Sequence, residues 1–421
     1  MTWILFVNII NELRKKEVEV KHPSLGTLYL ASYLKAYGGF NNVKILEVGS
    51  ITEQTLKSVK PDITLVRGGS HVKLTKLVRN TLNGVFTLSK VNAGDVLKPR
   101  WLWFGVTEHC NSRCTYCNIW KTISTEKELT SEELLTILKS PLFSNVRYVL
   151  NSGGEPTLRK DLIEIFSAEH EALPKATLQL STNAIMVDRA IGIVDYVLTR
   201  YDCNLDVGIS LDGIGVHHDN TRGIKGNFER VNTLLKELQR YMKQYGRRLN
   251  VTVGATLTDT TIQYAKEIDR YAKERGVQFI FHWFNQSSFY SNTTEENQAT
   301  VNIIADIIKD YTQKSLYRNM WLKSLTDGKV QKFRCYALNT FCVLKSNGDV
   351  APCLSMWNDP IGNTKIDDPV NVWCSQKARL IRSKVLDCSG CLNNWGVNWS
   401  LESEYLPLLR YAIKRRLKRC T

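Results

Sequence analysis

Thr107-Glu108-His109-Cys110-Asn111-Ser112-Arg113-Cys114-Thr115-Tyr116-Cys117 is the stretch from which this chain can be read. It follows an apolar run, Trp101–Val106, that reads as a buried strand, and it places three cysteines at C-x-x-x-C-x-x-C spacing in one short loop. Such a loop can wrap its thiolates around one metal centre. It supplies only three of the four ligands that a cubic iron–sulfur cluster or a tetrahedral zinc ion takes. The shortfall leaves one metal corner open to a substrate or cofactor. A structural zinc site would want a fourth Cys or His at knuckle spacing, and His109 is too close to Cys110 to serve easily.

Outward from the loop the pattern is a repeated strand–helix alternation. Strands are expected at Trp101–Val106, Arg147–Leu150, Thr177–Ser181, Asp206–Leu211, Asn250–Thr256 and Gln278–Trp283. Helices are expected at Ser131–Leu138, Leu162–Glu169, Val187–Val197, Phe228–Tyr245 and Thr261–Arg275, the first with a capping hydroxyl and early acids at Thr130-Ser131-Glu132-Glu133. Six strands with right-handed helical crossovers predict an α/β fold, a partial (βα)6 barrel of TIM type. In such sheets ligands bind outside the carboxyl ends of the strands.

The informative residues fall at those ends. After the second strand comes Asn151-Ser152-Gly153-Gly154-Glu155-Pro156, whose paired glycines let backbone approach a ligand and whose Glu155 can accept from an ammonium. Read alone, it is more readily a plain Gly-Pro turn; after the cysteine loop, at the end of a strand, it is not. After the third comes Ser181-Thr182-Asn183, and after the fourth Ser210-Leu211-Asp212-Gly213 followed by Arg222-Gly223. Asp212 could simply cap a turn. The fifth strand ends Val253-Gly254-Ala255-Thr256, and the sixth carries His282, which in an aromatic run is more often a satisfied core residue than a catalytic one.

With Tyr116 between the second and third thiols, the cysteine loop and these strand-end motifs in register resemble the radical S-adenosylmethionine (radical SAM) superfamily. The resemblance implies a 4Fe-4S cluster held by Cys110, Cys114 and Cys117, with S-adenosyl-L-methionine chelating the open iron and cleaved reductively to a 5′-deoxyadenosyl radical. It further implies SAM contacts from Tyr116, from Gly153, Gly154, Glu155 and Pro156 to the amino group, and from Ser181 and Asn183 near the carboxylate. Ser210 would reach the ribose, with Asp212 beside it. Arg222 would pair with the carboxylate as a guanidinium fork, and backbone at Thr256 would face adenine.

A second constellation follows: Cys335, Cys342, Cys353, Cys374, Cys388 and Cys391, with a hairpin signal at Asn347-Gly348-Asp349-Val350. Cys335, Gly348, Cys353, Gly362-Asn363 and Cys388-Ser389-Gly390-Cys391 resemble the SPASM/twitch auxiliary-cluster domain. The full SPASM pattern would continue with cysteines where this chain reads Leu392-Asn393-Asn394-Trp395-Gly396-Val397. The resemblance thus implies one auxiliary 4Fe-4S cluster, twitch-like, on Cys335, Cys353, Cys388 and Cys391, with Cys342 or Cys374 able to replace one of them. A four-cysteine zinc ribbon is the other reading. Four protein thiolates would leave no open iron, so this centre would pass electrons.

Ahead of the barrel, residues 1–98 read as a small α/β unit. Pro23-Ser24-Leu25-Gly26, Tyr29–Leu34 and Gly68-Gly69-Ser70-His71 resemble a truncated cobalamin-binding Rossmann-like domain. The Asp-x-His-x-x-Gly segment that would ligate cobalt is missing, so bound cobalamin is not expected. The barrel is expected over 99–290, a helical linker over 291–330, and the cluster domain over 331–421. That domain would end in Ser403–Arg419, a basic amphipathic helix after Pro407.

No run reaches membrane-span length and no basic leader precedes Met1–Val7, which reads as cytoplasmic. In a reducing compartment, clusters among 11 cysteines point to metal rather than disulfides. The formal charge of +15 suits a solvated basic surface or contact with RNA or an anionic membrane.

The function this predicts is hydrogen abstraction from an unactivated C–H bond. The net result would be oxidation, by dehydrogenation or cross-linking, of a small molecule or peptide. An external reductant such as flavodoxin or ferredoxin would supply the electron. Modification of a lipid or tRNA is the alternative, and a non-catalytic zinc- or nucleic-acid-binding protein the reading from another class.

Overall fold

The computed structural model describes residues 91, 94–121, 125–284, 287–292, 335–386, 388, 396, 399 and 400. The elements expected before residue 91, the helical linker, the basic C-terminal helix and Cys391 lie outside these.

The six expected strands all form: β1 Trp101–Thr107, β2 Tyr148–Gly153, β3 Thr177–Thr182, β4 Leu205–Ser210, β5 Leu249–Leu257 and β6 Gln278–Trp283. Each neighbouring pair is parallel. Two further strands, β7 Phe341–Leu344 and β8 Val350–Ala351, make the expected hairpin across Gly348. The sequence did not announce where that hairpin goes. β7 pairs parallel with β1, Trp101 to Phe341 through Phe104 to Leu344, so one sheet runs β6-β5-β4-β3-β2-β1-β7-β8.

Between the strands lie α1 Ser131–Leu138, α2 Leu162–Ala172, α3 Val187–Arg200, α4 Val216–Arg222, α5 Asn227–Tyr245 and α6 Ala265–Glu274. Two more, α7 Pro369–Cys374 and α8 Gln376–Leu386, follow β8. α1 starts on a capping box: the Thr130 hydroxyl accepts from the Glu133 amide at 3.2 Å and Glu133 accepts from the Thr130 amide at 2.9 Å. α6 starts later than its sequence suggests. Thr261 Oγ1 accepts from the Thr258 amide and donates to the Thr256 carbonyl, which ties the chain into a turn and delays the helix. Among the described residues no helix is long and apolar enough to cross a membrane.

The sheet's two faces differ. Val149, Leu178, Leu180, Leu205, Val207, Ile209, Val251 and Val253 are buried on the helix side, and each such side chain stabilises the fold by about 1.5–3 kcal/mol. The alternate positions face the concave side and are mostly polar: Tyr148, Ser152, Gln179, Ser181, Asp206, Ser210, Thr252 and Thr256 are all half-buried, with Leu150, Gly208 and Gly254 among them. On β1 that face carries Trp103, packed edge-on against Phe289 and Trp357 at 5.3 and 5.6 Å between ring centres.

Candidate metal and cofactor site

The cysteine loop leaves the carboxyl end of β1 and is held on two sides. On one, the Arg113 and Thr115 amides donate to the carbonyls of Arg222 and Thr221 at 2.9 and 3.0 Å. On the other, the Gly154 amide donates to Thr107 O at 2.7 Å and the Glu155 amide to His109 O at 2.8 Å. The glycines explain how the backbones come so near. A Cβ on Gly154 would lie 2.1 Å from His109 O, and one on Gly153, at φ +120°, 2.3 Å from Thr107 O. Gly223, at φ +65°, presses equally on Arg113 from the far side. The motifs that stand apart in sequence are the walls of this one loop.

Cys114 is buried and Cys110 and Cys117 are half-buried. Burial pushes the Cys110 thiol up to about 12, against a hydrogen bond from the Ser112 backbone, and Glu155 and the other two thiols add to the rise. Burial also pushes Cys117 up to about 11. These two thiols thus keep their protons at neutral pH until a metal displaces them. Cys110 feels both other thiols and Cys117 feels Cys114, so the three stand together. The donor set, three thiols in one loop with Arg222 Nη1 3.6 Å from Cys114 Sγ, fits a cluster with an anionic charge to balance.

Glu155, 1 % exposed, accepts four hydrogen bonds. They come from the Thr157 amide at 3.2 Å, Thr157 Oγ1 at 2.6 Å, Thr182 Oγ1 at 2.8 Å and the Asn183 amide at 2.7 Å. Burial raises its pKa and these donors oppose the rise. Three of these fall on Oε1 and one on Oε2, so Glu155 ties the ends of β2 and β3 together and Oε2 keeps an acceptor position for a further donor such as an ammonium. Asn183, in turn, donates from Nδ2 to Asn111 of the cysteine loop at 2.8 Å.

Asp212 is no turn cap. Fully buried, it meets Arg222 Nε at 2.6 Å, accepts from Tyr116 OH at 2.9 Å and accepts from the Thr256 amide at 2.8 Å. Burial opposes the Arg222 charge, but Asp212, Tyr116 and Cys114 outweigh it and raise the guanidinium's pKa. Behind Asp212, its amide donates to His218 Nδ1 at 3.1 Å, and His218 Nε2 lies 2.9 Å from Asn227 Nδ2. Burial depresses His218 to about 4. His218 and Asn227 were not singled out from sequence, and nothing in their spacing would have done so.

Thr256, near the end of β5, donates its amide to Asp212 and accepts from Thr261 Oγ1 at 2.6 Å on its carbonyl, which keeps a second lone pair. Ser181 and Ser210 sit on the concave face just before the strand ends, Ser181 accepting from Gln179 Nε2 at 3.0 Å and Ser210 beside Gly254 across the sheet. Tyr116, residues 153–156, Asn183, Asp212, Arg222 and Thr256 are therefore gathered with the three cysteines at one end of the barrel. Glu108, also missed in sequence, accepts from Trp357 Nε1 at 3.2 Å, a tie between the cysteine loop and the segment after β8.

In the C-terminal segment Cys335 and Cys353 are half-buried and Cys388 is exposed. Burial raises the Cys353 thiol, and Cys388 adds to the rise, so these two are neighbours. Cys342 is fully buried on β7, in register with Leu102, where burial drives its thiol well above the usual range. Cys342 and Cys374 act on the same guanidinium, Arg382, which burial depresses to about 10 despite them.

Residues 105–281 match the radical SAM superfamily, and residues 335–392 match the SPASM iron–sulfur cluster-binding domain. Over 134 residues the chain is 37% identical to the Fe-coproporphyrin III synthase of Methanosarcina barkeri, a match that spans 31% of this chain and only 32% of that protein's own length. It is 24% identical over 284 residues to the cysteine-type anaerobic sulfatase-maturating enzyme of Clostridium novyi, covering 59% of this chain and 71% of that one. The fold is similar to that of Streptococcus suis SuiB, solved bound to precursor peptide SuiA, with a TM-score of 0.55, 16% identity, and coverage of 86% and 84%. The chain belongs to the radical SAM superfamily, in its SPASM/twitch group, and its cofactors are S-adenosylmethionine, a 4Fe-4S cluster and an auxiliary iron–sulfur cluster.

Proposed function

We propose that this enzyme abstracts a hydrogen atom from an unactivated C–H bond of a small molecule or peptide, with net oxidation of the product. The observation that carries the reading is the three-thiol loop clamped between Gly153-Gly154 and Arg222-Gly223 at the strand ends. Cys110, Cys114 and Cys117 would hold the 4Fe-4S cluster, and Cys335, Cys353, Cys388 and Cys391 the auxiliary one. Bound there, the cluster and S-adenosylmethionine would together supply the one-electron chemistry that generates a 5′-deoxyadenosyl radical.

The chain's own part is positioning. Arg222 offsets the negative charge at Cys114 and keeps further N–H donors for a carboxylate. Asp212 holds Arg222 and Tyr116 in place, while Glu155 shapes the loop that carries the Gly153 and Gly154 backbone. Ser181, Ser210 and Thr256 offer hydroxyls to a ribose or its neighbours. A partner such as flavodoxin or ferredoxin would deliver the first electron, and the auxiliary site would accept the second.

The test is anaerobic reconstitution followed by assay for 5′-deoxyadenosine. Product from the parent and none from Cys114→Ala is the expected pattern. A parent that holds iron yet releases no 5′-deoxyadenosine with any reductant would overturn the proposal.

A further inference from the structure

Below the strand ends, the concave face of β2–β4 carries a group of acceptors that the cofactor site does not use. Gln179 and Asp206 are directly opposite one another across β3 and β4. Tyr148 OH, reaching from β2, donates to Asp206 Oδ2 at 2.9 Å, and the Asn250 side chain also bonds this carboxylate. A carboxylate has about four acceptor positions, so two remain. Gln179 lies against Gly208, where a Cβ would come within 3.0 Å of its Nε2, and that nitrogen donates to Ser181. Gln179 Oε1 is buried and has no hydrogen-bond partner. A buried acceptor left bare beside a half-satisfied carboxylate is costly unless something brings donors to both.

From this juxtaposition we infer a subsite for a primary ammonium group of the substrate, held between Asp206 and Gln179 Oε1. An ammonium carries three donors and no acceptor, which complements this group of oxygens. No Lys or Arg occupies the concave positions of β2–β6 to neutralise Asp206 from within. Burial raises the Asp206 pKa, and a bound cation would reverse that. Asp206 stands four residues before Ser210, about 13 Å of strand, so the ammonium lies on the order of 10 Å from the reacting end. The substrate is then elongated and cationic at its inner end, such as an amine-bearing side chain or amino sugar, and a lipid tail is disfavoured. Calling the bound molecule the substrate rests on the radical reading; the subsite itself does not.

The test is equilibrium dialysis of the cluster-loaded full chain, with S-adenosylmethionine present, against radiolabelled propylamine, propanol or propionate. Saturable binding of propylamine at one site in the millimolar range is expected, at least tenfold tighter than either of the others. Asp206→Asn should weaken it by tenfold or more, and Gln179→Leu severalfold, with iron content and circular dichroism as in the parent. Equal binding of propanol, unchanged binding in Asp206→Asn, or no saturation would overturn the inference. Absence of 5′-deoxyadenosine would defeat the radical reading alone and leave the dialysis result standing.

Discussion

Replacing Gly154 by alanine isolates the contact on which the site depends. The new Cβ would begin 2.1 Å from His109 O, over an ångström inside an ordinary carbon–oxygen contact, and the atom it meets is backbone. The β2 loop must then retreat from the cysteine loop by about 1 Å, which takes the 2.7 Å and 2.8 Å bonds to Thr107 O and His109 O beyond hydrogen-bonding range. Losing two such bonds costs about 1 kcal/mol each, and the overpacking about 1–3 kcal/mol more. The sum, about 3–5 kcal/mol, should lower Tm by roughly 10 °C in a unit of this size.

Iron and sulfide content should fall with it, because the displaced backbone is what holds Cys110 in place. Gly192→Ala is the control: it lies within α3 with nothing within 4 Å of the new methyl and should gain about 1 kcal/mol with unchanged iron. A Gly154→Ala protein with parental Tm and iron would refute the clamp. A raised KM for S-adenosylmethionine with both intact would show that the glycine serves the ligand directly.

Two pH effects follow from buried groups. His218, held neutral at about 4 against an unfolded value of 6.5, stabilises the fold fully above pH 6.5, and that stability is lost as pH falls towards 4. The loss is about 3 kcal/mol, and urea midpoints of His218→Gln should be flatter over that window; an identical slope would count against it. Glu169 runs the other way: buried against Asn151 Nδ2 at 2.9 Å, it is pushed up to about 8 by burial, so its contribution is complete below pH 4.5 and lost as pH rises through 8. Glu169→Gln should therefore be more stable than the parent at pH 7 by about 3 kcal/mol and no more stable at pH 4, which the same melts read directly.

The strands and their order along the barrel were legible because each is an apolar run of the right length between turn signals. The cysteine loop was legible because metal chemistry restricts spacing. What the motifs do was less so. The Gly-Gly pair suggested approach to a ligand, but the backbone it approaches is 46 and 45 residues upstream in sequence, at Thr107 and His109. Asp212 looked like a turn residue because its partner Arg222 is only brought to it by α4, a helix too short to show a period. One signal was present and passed over. Parallel strands are usually apolar on both faces, yet Thr177-Leu178-Gln179-Leu180-Ser181 and Asn250-Val251-Thr252-Val253 alternate. That alternation marks a concave face built to meet something polar.

The placement of β7 on β1 changes how the C-terminal cysteines relate to the first three. β1 ends in the loop of Cys110, Cys114 and Cys117, and its two neighbours are β2, which ends in Gly153, and β7, which lies between Cys335 and Cys353 in the chain. Leu102 is flanked by Val149 on one side and Cys342 on the other, so one central strand sets the register of both cysteine-bearing segments. The Glu108–Trp357 bond repeats the tie at the other end of the strand. Strands hydrogen-bonded side by side cannot slide without turning every side chain to the wrong face, and here one face is apolar and buried. Sheet geometry thus fixes where β7, the strand between Cys335 and Cys353, stands relative to the strand that carries the Cys110 loop.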